Sequence, residues 1–203
     1  MAARLCLSGD PRRVLDLCCG TGDLAVWLAR IASGGTQVMG LDYSPPMLAI
    51  ARDKALRRGV QNLISFIHGD VADLPFPDGY FDSIGISFAF RNLTFRNPLT
   101  SRYMSEVLRV IKPGGRFIIV ESSQPPNRVI RTLAHAYERW FIRNVGAWIT
   151  GNRPAYKYLA ESSQKFYTAD ELADFLVRSG FTGVMVRRLF FGAAAIHVAE
   201  KGA

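Results

Sequence analysis

Long apolar runs are missing from this 203-residue chain. None approaches the roughly 18–20 residues that a membrane-crossing helix requires, so no helical span is expected. Cysteine is scarce. Cys6, Cys18 and Cys19, two of them adjacent, give neither a disulfide framework nor the spacing of a metal site. Histidine is equally sparse, and His68, His135 and His197 are too scattered for a ligand set, so no metal is expected. The opening MAARLCLSGDPRR is too short and too soon interrupted for a signal peptide, and the expected location is a reducing cytoplasm. Low-complexity tracts, repeats and linkers are also missing, which favours a single domain over 1–203. Acid is short relative to base, 17 residues against 25, for a net charge of +8. That balance suits an anionic polymer or peripheral contact with an anionic membrane, and equally well a set of solvated helix faces.

What is present is organised around 14–23, VLDLCCGTGD. An apolar run containing Asp16 reads as a buried strand. Gly20 and Gly22 break it, and Leu24, Ala25, Trp27 and Leu28 follow at helical spacing. A strand, a tight glycine turn and a helix bring a ligand against bare backbone. Twenty residues beyond Gly22 a second apolar strand, 38–41, ends in Asp42, a carboxylate placed to accept the hydrogens of a ribose diol. The stretch Gly20-Thr21-Gly22-Asp23-Leu24-Ala25 also fits the dinucleotide pattern G-x-G-x-x-A, so both kinds of ribose ligand stay open here.

Further along, Ser44-Pro45-Pro46 opens a helix expected to turn Met47, Leu48, Ile50, Ala51 and Leu56 inward before Gly59 closes it. A third strand is expected at 63–67, a loop at 71–79, a fourth strand at 80–88 and a helix at 99–111. Lys112-Pro113-Gly114-Gly115 should stop that helix before a fifth strand at 116–120. Alternating strands and helices imply a parallel sheet, with Asp16, Asp42, Asp70 and Ser87 at the carboxyl ends of its strands, where such sheets bind ligands. From 124 to 167 the pattern becomes helical and aromatic, an insert carrying Leu133, Tyr137, Trp140, Phe141, Trp148, Tyr156 and Tyr158. A helix at 169–178 and a hairpin of 182–190 with 193–199 close the chain, and the hairpin makes one strand antiparallel.

With these residues placed, the chain resembles the class I S-adenosylmethionine-dependent methyltransferases. Three features carry the resemblance: Gly69-Asp70-Val71 after strand three, the 108–116 helix stop, and the C-terminal hairpin. More narrowly it is similar to the C-methyltransferases of ubiquinone and menaquinone biosynthesis, through Phe88-Ala89-Phe90-Arg91-Asn92 and Tyr156-Lys157-Tyr158-Leu159-Ala160-Glu161-Ser162. Two departures are Cys18, where many methyltransferases have glycine, and the dozen residues before strand one, where that family has several tens. The resemblance implies a Rossmann-like α/β fold: a mostly parallel seven-stranded sheet of order 3-2-1-4-5-7-6, last strand antiparallel, with helices on both faces. The insert after strand five would form a substrate lid.

The resemblance further implies S-adenosyl-L-methionine as cofactor, bound by Asp16, Cys18, Gly20, Thr21, Gly22, Asp42, Tyr43, Met47, Asp70, Val71 and Ser87. Asp16 would hold the ammonium group, directly or through water, Asp42 the ribose and Asp70 the adenine edge, with Gly20 and Gly22 letting the backbone approach the methionyl part. The acceptor it implies is an isoprenoid quinol methylated at a ring carbon. Arg91 would stabilise the ring oxyanion, Asn92 would hold the second ring oxygen, and Tyr158, Glu161 and His135 are candidates to take the proton. Alternatives are another small-molecule, lipid or RNA methyltransferase, a nicotinamide oxidoreductase, and a cofactor-binding protein without turnover. Nucleic acid is disfavoured as a partner, because Ser87-Phe88-Ala89-Phe90 replaces the Asn/Asp-Pro-Pro-Tyr/Phe of amino-nitrogen methyltransferases. A homodimer is compatible with the sequence.

Overall fold

The computed structural model describes residues 1–137 and 166–203. Expectations for Trp140, Phe141, Trp148, Tyr156, Tyr158 and Glu161 lie outside the described residues, as do those for the side chains of His135 and Tyr137. The elements run α1 (Ala2–Cys6), β1 (Arg13–Leu17), α2 (Asp23–Ile31), β2 (Gln37–Asp42), α3 (Pro45–Arg57), β3 (Ile64–His68), β4 (Phe81–Ser87), α4 (Phe90–Thr94), α5 (Thr100–Val110), β5 (Ile111–Ser122), α6 (Arg128–Tyr137), α7 (Ala169–Arg178), β6 (Phe181–Leu189) and β7 (Ala194–Lys201). The seven strands form one sheet in the order β3-β2-β1-β4-β5-β7-β6. The pairings among β1 to β5 are parallel, and β7 runs antiparallel to both of its neighbours. This is the expected Rossmann-like arrangement.

Alternation along each strand feeds two cores. Leu15, Leu17, Ile84, Ile86, Phe117 and Ile119 are buried on the side of α5 and α7. Val14, Val38, Ile64, Ile118 and Val120 are buried on the side of α1, α2 and α3. With both faces covered, the central strands read as continuous apolar runs. Asp16 is the polar interruption in β1, and only 1% of its surface is exposed.

Two helices expose large apolar residues, and in α3 these include three expected inside. In α3 the buried positions are Leu48, Ala51 and Ala55, while Met47, Ile50 and Leu56 face solvent. The reason is the closeness of α2 to α3: a Cβ on Gly22 would lie 2.9 Å from the Ala51 Cβ, so small residues take the inner face. In α2, Trp27 is exposed and Arg30 stacks over its ring at 5.2 Å. The helix stop at 112–115 proves to be a bulge within a longer β5. Phe81 pairs with Ile111 and Ser83 with Arg116, so four residues loop out of the ladder.

Two non-glycine residues adopt left-handed backbone just past neighbouring strands, Cys18 (φ 53°) after β1 and Phe88 (φ 54°) after β4. Such a conformation costs an L-residue roughly 1–2 kcal/mol, which explains why glycine suits position 18. Urea unfolding should rank Cys18→Gly above Cys18→Val in stability, although valine replaces more of the buried volume. The reverse order would show that packing, not backbone strain, governs this position.

Candidate active site

The carboxyl edge of the sheet gathers the expected acids. Asp42 Oδ2 accepts the Gly20 N–H at 2.7 Å and its Oδ1 accepts the Ser44 N–H at 2.9 Å, which locks the turns after β1 and β2 together. Gly20 has φ 52° and open space where a Cβ would project, so a ligand can lie against its backbone. Gly22 behaves differently. Its missing Cβ faces Ala51 and Phe66, so this glycine serves helix packing and caps α2 rather than approaching a ligand. The Thr21 hydroxyl donates to Asp23 at 3.0 Å and accepts from Lys54 at 2.9 Å, so it stiffens the turn from outside.

The strand register staggers the three acids. Asp16 pairs with Gly40, two residues short of Asp42, and Asp42 pairs with His68, two residues short of Asp70. Burial first, then the charges of Asp42, Asp16 and Asp70, push the Cys18 thiol up to about 12. Asp16 is the innermost, and its Oδ2 accepts the Ala25 N–H of α2 at 2.8 Å. Asp70 Oδ1 accepts the Ala72 N–H at 2.8 Å. The loop after Asp70 is pinned to α5: Arg102 donates to the Ala72 carbonyl at 2.6 Å, and Arg109 to the Phe76 and Leu74 carbonyls at 2.7 and 3.0 Å. Glu106 accepts the Leu74 N–H at 2.8 Å and also holds Arg109.

Of the remaining expected contacts, Tyr43 and Met47 are exposed beside Asp42, and the Tyr43 carbonyl bonds His68 Nε2 at 3.0 Å. Val71 is buried in the α5-side core. Ser87 faces the α1 and α2 side, in a cavity of about 390 Å³ that Leu24 and Trp27 also line.

Arg91 and Asn92 lie one element later than the expected end of strand four. Both belong to α4, not to the end of β4, and successive helical positions turn to different sides, so Arg91 is 4% exposed while Asn92 faces solvent. Nor is Arg91 a bare cation. Its Nη1 lies 3.4 Å from Glu121 Oε1 and donates to Ser122 Oγ at 2.9 Å, and its backbone N–H donates to Glu121 Oε2 at 3.1 Å. Among the described residues nothing accepts from Arg91 Nε. Glu121, 1% exposed, is the residue that sequence reasoning missed. Its signal was available: it is the one acid of β5, closing an apolar run as Asp42 closes β2.

This edge is poorly suited to a pyrophosphate. Two of the N–H groups that could receive one, on Gly20 and on Ala25 in the first turn of α2, are already held by the carboxylates of Asp42 and Asp16. Among the described residues, no three His, Cys, Asp or Glu side chains come together as a metal site.

Burial pushes the Asp16 carboxyl from 3.8 up to about 8, the Ala25 N–H opposing the shift and the charges of Asp42 and Asp23 adding to it. Between those two values the folded state holds a proton that the unfolded chain releases, so this group makes stability fall as pH rises. Asp16→Asn keeps an acceptor for Ala25 and removes that slope. The melting temperature of the variant relative to the parent should climb from about pH 4 to about pH 8 and then level off. A gap independent of pH would mean that Asp16 titrates normally.

The ubiE/COQ5 methyltransferase family matches residues 2–201. A demethylmenaquinone methyltransferase of Thermus thermophilus is 40% identical over 200 residues, 98% of this chain and 87% of the relative. The ubiquinone/menaquinone biosynthesis C-methyltransferase UbiE of Pseudomonas putida is 38% identical over 91% of this chain and 71% of its own. Among solved structures, a SAM-dependent methyltransferase of Aquifex aeolicus superposes with a TM-score of 0.64 at 19% identity, over 93% of this chain and 81% of that one. The [4+2]-cyclase SpnF does so with 0.63 at 21%, over 100% and 78%. At such identities these two show the fold alone, and a cyclase among them illustrates that the fold does not set the reaction. The family match and the near full-length relatives decide it: the chain belongs to the ubiE/COQ5 methyltransferase family.

Proposed function

We propose that the protein transfers a methyl group from S-adenosylmethionine to a ring carbon of a demethylmenaquinol-type isoprenoid quinol. The observation that carries the substrate class is the 40% identity to a demethylmenaquinone methyltransferase over 98% of the chain. The residues of the edge fit the cofactor. Open space over Gly20 admits it, the remaining lone pairs of Asp42 accept the ribose hydroxyls, and Asp70 accepts from the adenine edge. Asp16, nearly closed off, reaches an ammonium group through water and holds the start of α2 in place. When bound, the cofactor supplies an electrophilic methyl on a sulfonium that is already a good leaving group, so the protein's task is positioning.

The chain's own contribution on the acceptor side is Arg91. The ring carbon becomes nucleophilic when the neighbouring hydroxyl ionises, and a fixed guanidinium in a dry site stabilises that oxyanion. Glu121 and Ser122 hold one corner of the guanidinium, and the unused Nε hydrogen is a donor already desolvated. Asn92, turned to the outside of α4, has no part in this reading.

Calorimetry should show binding of S-adenosylhomocysteine and none of NAD. Labelled methyl should pass to short-tail demethylmenaquinol and not to bulk RNA. Labelling of RNA alone would replace the substrate, and NAD binding would remove the cofactor. For Arg91, single truncation strands a buried Glu121 charge at about 3–5 kcal/mol, so the informative variant is Arg91→Met with Glu121→Gln. It should keep S-adenosylhomocysteine affinity within a few-fold and lose transfer by about 100-fold or more. Loss of both in equal measure would make Arg91 structural.

A further inference from the structure

We infer that the β6–β7 hairpin tip, together with the start of α6, is a docking surface for an anionic lipid bilayer. Phe190 and Phe191 form the tip and are 78% and 83% exposed, the two most exposed large apolar residues described. Both are held in left-handed backbone, φ 48° and 57°, which points two rings outward from one turn. The tip is braced from below: a Cβ on Gly192 would lie 2.8 Å from Pro126 Cδ and 3.3 Å from Pro125 Cα. Those prolines lead into α6, which exposes Val129 and Leu133 one turn apart at 68% and 65%.

The rim of this apolar patch is basic. Arg128 and Arg131 lie on α6, and Arg187 and Arg188 on the last turn of β6 before the tip. Residues 122–137 and 181–189 contain no acid. Arg188 is neutralised by Asp170 at 2.5 Å, and the other three arginines have no ion-pair partner among the described residues. Aromatic rings at a tip ringed by arginines match the chemistry of a bilayer interface, with rings at the acyl boundary and cations at anionic headgroups. Basic charge complements such a surface, whereas a second copy of this patch would repel it.

Position in the fold gives the surface its purpose. Leu189 pairs with Ala194, and Ala194 with Ser122, so the tip lies at the carboxyl end of β5, the edge that holds Glu121 and Asp42. Resting on the quinol reading above, the patch would seat that edge on the membrane that contains an isoprenoid acceptor.

The test uses the full chain with vesicles of phosphatidylglycerol and phosphatidylcholine in equal parts, against phosphatidylcholine alone. Co-sedimentation should favour the anionic vesicles and weaken with added salt. The variant Phe190→Asn/Phe191→Asn keeps residues that tolerate left-handed backbone, so its melting temperature should equal or exceed that of the parent. Its vesicle partition should fall about tenfold or more, with transfer to a short-tail acceptor unchanged within twofold. Arg128→Gln/Arg131→Gln should lower partition to anionic vesicles by about tenfold and leave neutral vesicles unaffected. Equal partition of parent and Phe variant, a lowered melting temperature in that variant, or a dimer that it abolishes would each overturn the inference. Parent protein that methylates the short-tail quinol but ignores vesicles sinks the surface alone. Parent that binds vesicles and methylates no quinol sinks the reaction alone.

Discussion

One hydrogen bond, from the Gly20 N–H to the Asp42 carboxylate at 2.7 Å, fixes the turn after β1 against the turn after β2. The rest of the edge is set by what allows it to form. The Cys19 N–H reaches the Leu41 carbonyl at 2.9 Å, and the Gly22 N–H reaches the Cys19 carbonyl at 2.8 Å, so the turn is tied to β2 and to itself. Gly40 leaves room for the Phe66 ring and the Cys19 sulfur, where a Cβ would lie 2.9 and 3.2 Å from them. Gly22 lets α3 close to contact distance with α2. A carboxylate held this way is oriented before any ligand arrives, and preorganisation of that kind lowers the cost of binding.

Most of the fold was legible because buried parallel strands announce themselves as apolar runs and glycine marks the turns between them. The acids Asp16, Asp42 and Asp70 could be named because the first interrupts such a run and the other two follow one. What composition could not reveal was depth. Nothing in the pattern distinguishes Asp16, buried and holding the start of α2, from Asp42 at the rim; the two-residue stagger between strands does. Spacing also failed inside α3, where helix proximity selects Ala51 and Ala55 over larger neighbours. Arg91 was legible as a motif residue and illegible as half of a pair, because its partner Glu121 lies thirty residues away and only the β4–β5 ladder brings them together.

The two kinds of polar residue lie on different faces of the sheet. Asp16 and Asp42 share the parity of Val14 and Val38, which pack toward α2 and α3. Glu121 shares that of Phe117 and Ile119, which pack toward α5 and α7. The two sets of polar residues therefore sit among different core residues. This separation suits a fold that hosts both methyltransferases and a cyclase.

The segment between β5 and α7 enters and leaves through firm roots. The Ser123 N–H donates to the Ala193 carbonyl at 2.9 Å, and Phe166 is 4% exposed in the core, its ring against Tyr167, which stacks in turn on Phe175. Two anchored ends mean that whatever joins them can be exchanged like a cassette, as a graft that spares the sheet and its carboxyl edge.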